Sequence, residues 1–140
     1  MSRNILVLTG SPRKGGNSDL LADAFIKGAK AAGNRVDKYE TGLKRIVGCK
    51  ACDRCYSQGE ACVFGDDFNA LAPLMEQSDT LVLVTPMYWF TFPTPLKASN
   101  RDEVLVGRLR ADPSGSPTRF ALWVCGDQLR RPEEIGRAHV

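Results

Sequence analysis

The chain has 140 residues, enough for one domain with a buried core and cramped for two. At 43% hydrophobic and 25% charged it has the composition of an ordinary globular protein. Its net charge of +3 and its short Lys/Arg pairs (Arg13-Lys14, Lys44-Arg45, Arg130-Arg131) lack the basic stripe of a nucleic-acid binder.

No stretch approaches the ~18 consecutive apolar residues of a membrane span. The opening run Ile5-Leu6-Val7-Leu8-Thr9-Gly10 is too short for a signal-peptide core and has no small-residue cleavage site behind it. A cytoplasmic location with no membrane or nucleic-acid partner is expected, and with it thiols or metal ligands rather than disulfides for the five cysteines.

Ile5 to Thr9 reads as a buried parallel strand ending in Gly10. Gly10 to Asn17 is a loop by composition, and Asn17 or Ser18 is placed to cap the helix that follows. Leu20, Leu21, Ala24, Phe25, Gly28, Ala29 and Ala32 recur at helical spacing, and Gly33 supplies the stop. Arg35 to Tyr39 is a second, more polar strand, suited to a sheet edge. Residues 42–65 have no clear period and hold four cysteines. Asp66 or Asp67 then caps a second helix running to about Gln77, with Phe68, Leu71, Leu74 and Met75 inward. Leu81 to Val84 is a third strand, stopped at Thr85-Pro86 before an aromatic, proline-rich loop from Met87 to Pro95. Leu96 to about Leu109 is weakly helical, and Phe120 to Val124 is a fourth strand ending at Cys125-Gly126-Asp127.

Strands alternating with helices predict an α/β fold, a three-layer parallel sheet covered on both faces. Ligands of such sheets bind at the carboxyl ends of the strands near the switch in strand order. The loops Gly10–Ser18, Thr85–Pro95 and Cys125–Gln128 are therefore expected to converge on one site.

The first of these loops carries phosphate-binding chemistry. A helix N-terminus offers N–H groups and partial positive charge. Ser11 and Ser18 add hydroxyls, Asn17 an amide and Arg13 a charged fork. A nucleotide P-loop is excluded: Gly10 and Gly15 have its spacing, but Gly16-Asn17 stand where Lys and Ser/Thr are needed. The dinucleotide fingerprint fails as well, because position 12 is proline.

Gly10-Ser-Pro-Arg-Lys-Gly-Gly-Asn-Ser18 resembles the FMN phosphate loop of the NADPH-dependent FMN reductase family, within the flavodoxin-like superfamily. Thr85-Pro-Met-Tyr-Trp-Phe-Thr-Phe-Pro93 with Leu96-Lys97 resembles that family's flavin-ring loop. Cys62-x3-Asp66-Asp67 recurs in the family and in its iron–sulfur flavoprotein branch. The resemblance covers residues 4 to about 98, with its motifs in order.

It implies a flavodoxin-like sheet of order 2-1-3-4(-5). Ser11, Arg13, Gly16, Asn17 and Ser18 would hold the phosphate, Pro86, Met87, Tyr88 and Trp89 would lie along the flavin ring, and Gly126 and Asp127 would form the third side. It further implies an FMN-dependent oxidoreductase, with NAD(P)H as co-substrate and a small-molecule or protein electron acceptor. The alternative is a non-enzymatic electron carrier. No catalytic side chain is assigned, because the flavin performs the chemistry. Relatives often build the pocket at a dimer interface, so a homodimer or higher assembly is expected.

Cys49, Cys52, Cys55 and Cys62 have the spacing Cys-x2-Cys-x2-Cys-x6-Cys. It resembles the compact [4Fe–4S] motif of iron–sulfur flavoproteins. Zinc also accepts four thiolates, and free thiols packed in a loop are the third option. All three stay open at this point.

The family pattern breaks after Lys97, where Asn100 stands in place of an expected acid. The chain also stops about fifteen residues after its fourth strand. A fifth strand and closing helix are therefore expected to be missing, the flavodoxin-like domain to run over 1–134, and 135–140 to be a non-native tail that resembles a translated sequencing adapter.

Overall fold

A computed structural model describes residues 2–58, 61–89, 91–99 and 119–125. Gly126, Asp127 and the tail 135–140 lie outside the described residues, as does the whole segment between Ser99 and Arg119. Strands β1 (Asn4–Thr9), β2 (Arg35–Glu40), β3 (Thr80–Pro86) and β4 (Arg119–Cys125) form one parallel sheet in the order β2-β1-β3-β4. This is the expected order and the expected α/β layering.

The two middle strands explain themselves. From Ile5 to Thr9 and from Leu81 to Pro86 every residue is buried, as a parallel strand covered on both faces requires. Alternate residues face opposite layers. Leu6, Leu8, Leu81 and Leu83 pack with Phe68, Leu71 and Ala72 of α3 (Phe68–Glu76) and with Leu96 and Ala98 of α4 (Thr94–Ser99). Ile5, Val7, Val82 and Val84 join Val36 and Ala22 on the other face, beneath α1 (Asn17–Ala31).

Helix α1 buries a different stripe from the full apolar series. Ala22 is buried and Leu21, Phe25, Ile26 and Ala29 pack beside it, whereas Leu20, Ala24 and Gly28 face outward. The line Ser18, Ala22, Phe25/Ile26, Ala29 is the one that meets the sheet.

The cap of α1 differs from expectation, while that of α3 falls on the expected aspartate pair. Gly16, not Asn17 or Ser18, is the N-cap residue of α1, without a side-chain bond. At α3 the capping work falls to Asp66, whose Oδ1 accepts the Phe68 N–H at 3.0 Å. Its Oδ2 accepts the Val47 N–H at 2.9 Å, and Asp67 Oδ2 accepts the Arg45 N–H at 2.7 Å. This aspartate pair thereby ties the 45–47 segment to α3 and seats Ile46 in the core.

Candidate functional site

All four strands run the same way, so the chain leaves β1, β3 and β4 at one end of the sheet. The register places Thr9 beside Val84, and Pro86 beside Cys125. The Gly10 N–H donates to the Val84 carbonyl at 3.0 Å, carrying the β1–β3 pairing one residue into the loop. The strand ends meet closely at this point. A Cβ on Gly10 would stand 2.5 Å from Thr85 Oγ1 and 3.0 Å from Leu96 Cδ2. Only glycine fits where the glycine-rich loop leaves the sheet.

The loop is held from within. Ser11 Oγ accepts the Arg13 N–H at 3.2 Å, and the Gly16 N–H donates to the Arg13 carbonyl at 3.4 Å. Gly15 takes φ +70°, which turns the chain into α1. Arg13 and Asn17 are exposed, Ser11 and Gly16 half-exposed, and Ser18 is buried at the start of the helix. These donors at the N-terminus of a 15-residue helix fit a dianionic phosphate.

Support also comes from the turn after β2, which sequence reading did not single out. Thr41 Oγ1 is buried and donates to the Thr9 carbonyl at 2.9 Å. Gly42 lies so close to the loop that a Cβ there would sit 2.6 Å from both the carbonyl carbon and oxygen of Ser11. That neighbour is backbone, so no rotamer change relieves the contact. Gly42→Ala is therefore expected to cost about 1–3 kcal/mol of stability, in the manner of an overpacked core. Urea unfolding measures it, and an unchanged midpoint would refute the contact.

Edge strand β2 adds charge. Val36 packs under α1, so Lys38, two residues on, points to the same face. Lys38 Nζ lies 2.6 Å from Asp19 Oδ1 and 2.6 Å from Asp23 Oδ1, and Asp19 Oδ2 accepts the Gly15 N–H at 2.8 Å. The hydrogen bond from Lys38, followed by that from Gly15, holds the Asp19 carboxyl below its ordinary value. Burial pulls Lys38 down, but its bonds to Asp19 and Asp23 outweigh burial and raise it.

The signs set the pH window. The Asp19 contribution is complete above the ordinary carboxylate value of about 4 and is lost as pH falls through its lower folded value. The Lys38 contribution is complete below about 10.4 and is lost as pH rises through its higher folded value. The stability gap between the natural chain and Asp19→Asn is expected to hold from pH 5 to 9 and to narrow progressively as pH falls below about 4. Melting curves from pH 9 downward check this; a gap that does not narrow at all as pH falls below about 4 overturns it.

On the ring side, β3 runs into Pro86 and Met87, and Tyr88 and Thr91 then bond each other in both directions at 2.9 and 3.0 Å. Trp89 stands on this tight turn at φ +47° and is 91% exposed, the most open of the large apolar side chains described. Phe92 packs on the core, and Pro93 is buried. The loop thus starts beside Gly10 and presents Met87 and Trp89 outward.

The four cysteines lie elsewhere. Cys49 and Cys52 are exposed, Cys55 and Cys62 half-buried, and all four are free thiols. Ala51 and Asp53 take φ near +50°, and the Ala51 N–H donates to Cys49 Sγ at 3.4 Å. Helix α2 (Arg54–Gln58) carries Cys55, and residues 59 and 60, between it and Cys62, lie outside the described residues. Among the described residues no three Cys, His, Asp or Glu side chains stand together as a metal site. No helix among the described residues is long and apolar enough to cross a membrane.

Comparison with known proteins agrees with this layout. Residues 3–99 match the NADPH-dependent FMN reductase family. An iron–sulfur flavoprotein of Archaeoglobus fulgidus is 37% identical over 90 residues, covering 64% of this chain and 40% of that protein. One of Methanosarcina thermophila is 33% identical over 101 residues, covering 72% and 52%. The chain thus spans about half the length, or less, of these relatives. In fold it is similar to the crystal structure of RosB with bound 8-demethyl-8-formylriboflavin-5'-phosphate, with a TM-score of 0.68 and 18% identity over 89% of this chain and 52% of that one.

Proposed function

This chain belongs to the NADPH-dependent FMN reductase family, and on that premise we propose that it binds FMN and carries electrons from NAD(P)H to a small-molecule or protein acceptor. The observation that carries this reading is the meeting of two loops at the carboxyl end of the sheet. The glycine-rich loop opens α1, and the Pro86–Trp89 loop leaves the neighbouring strand beside it. Topology favours a ligand at that end.

Bound FMN supplies a ring that accepts hydride and releases electrons. The protein supplies the placement. Arg13 offers its guanidinium and Asn17 its amide to the phosphate, with Ser11, Gly16 and Ser18 completing the turn around it. Pro86 to Trp89 would line the ring, and Gly126 and Asp127, expected on its third side, lie outside the described residues. No side chain is assigned as acid or base, since hydride transfer needs orientation and exclusion of water rather than a protein proton.

The visible spectrum of the purified protein is the direct test. Flavin bands are expected, together with rapid anaerobic bleaching by NAD(P)H. A colourless protein that takes up no added FMN overturns the reading. Flavin that binds but stays oxidised with NAD(P)H points to the electron carrier instead.

The names of the two iron–sulfur flavoprotein relatives favour a second redox centre, a [4Fe–4S] cluster on Cys49, Cys52, Cys55 and Cys62. No three ligand-type side chains stand together among the described residues, and no electron step is routed through the thiols. Anaerobic purification decides: about four irons per chain support the cluster, and iron-free protein that resists reconstitution removes it.

A further inference from the structure

A phosphate-binding helix start is an unfavourable place for a carboxylate, yet Asp19 sits in the first turn of α1. Both its oxygens are engaged. Oδ2 accepts the N–H of Gly15, the left-handed residue on which the loop turns, and Oδ1 meets Lys38. The side chains of Lys38 and Asp19 are only 23% and 15% exposed, whereas Asp23 is 59% exposed. Water therefore screens the Asp19–Lys38 pair less than it screens an open surface pair. A second contact from β2 is weaker: Lys14 lies 3.6 Å from Glu40, with Lys14 71% exposed.

Resting on the FMN reading above, we propose that Lys38 and Asp19 are positioning residues for the phosphate turn: Lys38 neutralises Asp19 and fixes it so that it holds Gly15 in its left-handed turn. Neither residue touches the phosphate. Asp19 shapes the loop through a backbone N–H, and Lys38 removes the negative charge that Asp19 would otherwise set against the phosphate. Asp23, one turn further along α1, holds Lys38 from the open side and lies farther from the loop in sequence. The edge strand, with no part in the ligand's first contacts, thereby sets the affinity of the neighbouring loop.

Flavin fluorescence titrations with FMN and with riboflavin test this. Riboflavin lacks the phosphate, so it reports any general damage to the ring pocket. Lys38→Met is expected to weaken FMN roughly tenfold, in keeping with loss of a charged hydrogen bond, and to change riboflavin binding less than twofold. Lys38→Arg is expected to recover most of the loss. Adding Asp19→Asn to Lys38→Met is expected to restore part of it, because the unopposed charge is gone while an acceptor for Gly15 remains.

If Lys38→Met does not fold by circular dichroism, Asp19→Ala against Asp19→Asn takes its place. The alanine variant is expected to bind FMN several-fold more weakly than the asparagine variant, and equal affinities refute the positioning role. A natural chain that prefers FMN, with Lys38→Met keeping that preference, overturns the proposal and leaves the FMN reading intact. A natural chain that binds FMN and riboflavin equally overturns the FMN reading itself.

Discussion

Phe68→Ala is expected to cost about 3–5 kcal/mol, the largest single loss among the substitutions considered. Phe68 is fully buried where α3 meets the sheet, among Leu6, Leu8, Leu83 and Leu96. Its own N–H is capped by Asp66, so its position is fixed at both backbone and side chain. Truncation leaves a cavity that the neighbouring strand residues, locked by their pairing, close only in part. Against a total stability of roughly 5–15 kcal/mol for a domain, that loss removes about a fifth or more. Urea unfolding followed by circular dichroism measures it, and a loss below about 1 kcal/mol would show that Phe68 is not the keystone of this face. Phe68→Leu, which retains most of the volume, is expected to cost far less. Saturating FMN at 100 times its Kd is expected to return about 2.7 kcal/mol to the alanine variant, since only the folded chain has the phosphate turn.

What was legible in the sequence follows from how each feature is encoded. Val7 and Val82 lie in unbroken apolar runs, and such runs have one common use in an alternating α/β chain, so both central strands were readable, while the sheet order came from the family resemblance. The glycine-rich loop that opens α1 was readable because Gly10, Gly15 and Gly16 follow an apolar run and precede a helical period. The buried face of α1 was less so. Leu20 and Phe25 are equally apolar, and only the position of the sheet decides that one packs while the other faces solvent.

The support of the loop was missed for a different reason. Gly42 and Thr41 act on residues about thirty positions earlier, through contacts that exist only once β1 and β2 are paired. Nothing local marks them. Asp19, Asp23 and Lys38 did leave a faint signal. Two carboxylates spaced four apart share a helix face, and a lysine two residues after Val36 shares that strand face with it. Reading the triad in advance needed the knowledge that those two faces meet.

Arg13→Ala is expected to lower FMN affinity by about 1.5–3 kcal/mol, or roughly tenfold to a hundredfold, because it removes one charged contact to the phosphate. The backbone of Arg13 is held on both sides, its N–H by Ser11 Oγ and its carbonyl by Gly16. The side chain itself is exposed. Truncation therefore leaves the turn in place, and stability is expected to move by less than about 0.5 kcal/mol, as for an ordinary surface substitution. That contrast separates the guanidinium from Gly42 and Phe68, whose replacement acts through the fold. Riboflavin affinity is expected to stay level, since the lost contact is to the phosphate alone. Arg13→Lys is expected to fall between, keeping the charge but not the two-pronged donor. The decisive measurement is the ratio of FMN to riboflavin affinity in each variant. If Arg13→Ala weakens both ligands equally, the arginine acts on the ring pocket; if it weakens neither, the phosphate is held by the backbone of the loop and the start of α1 without it.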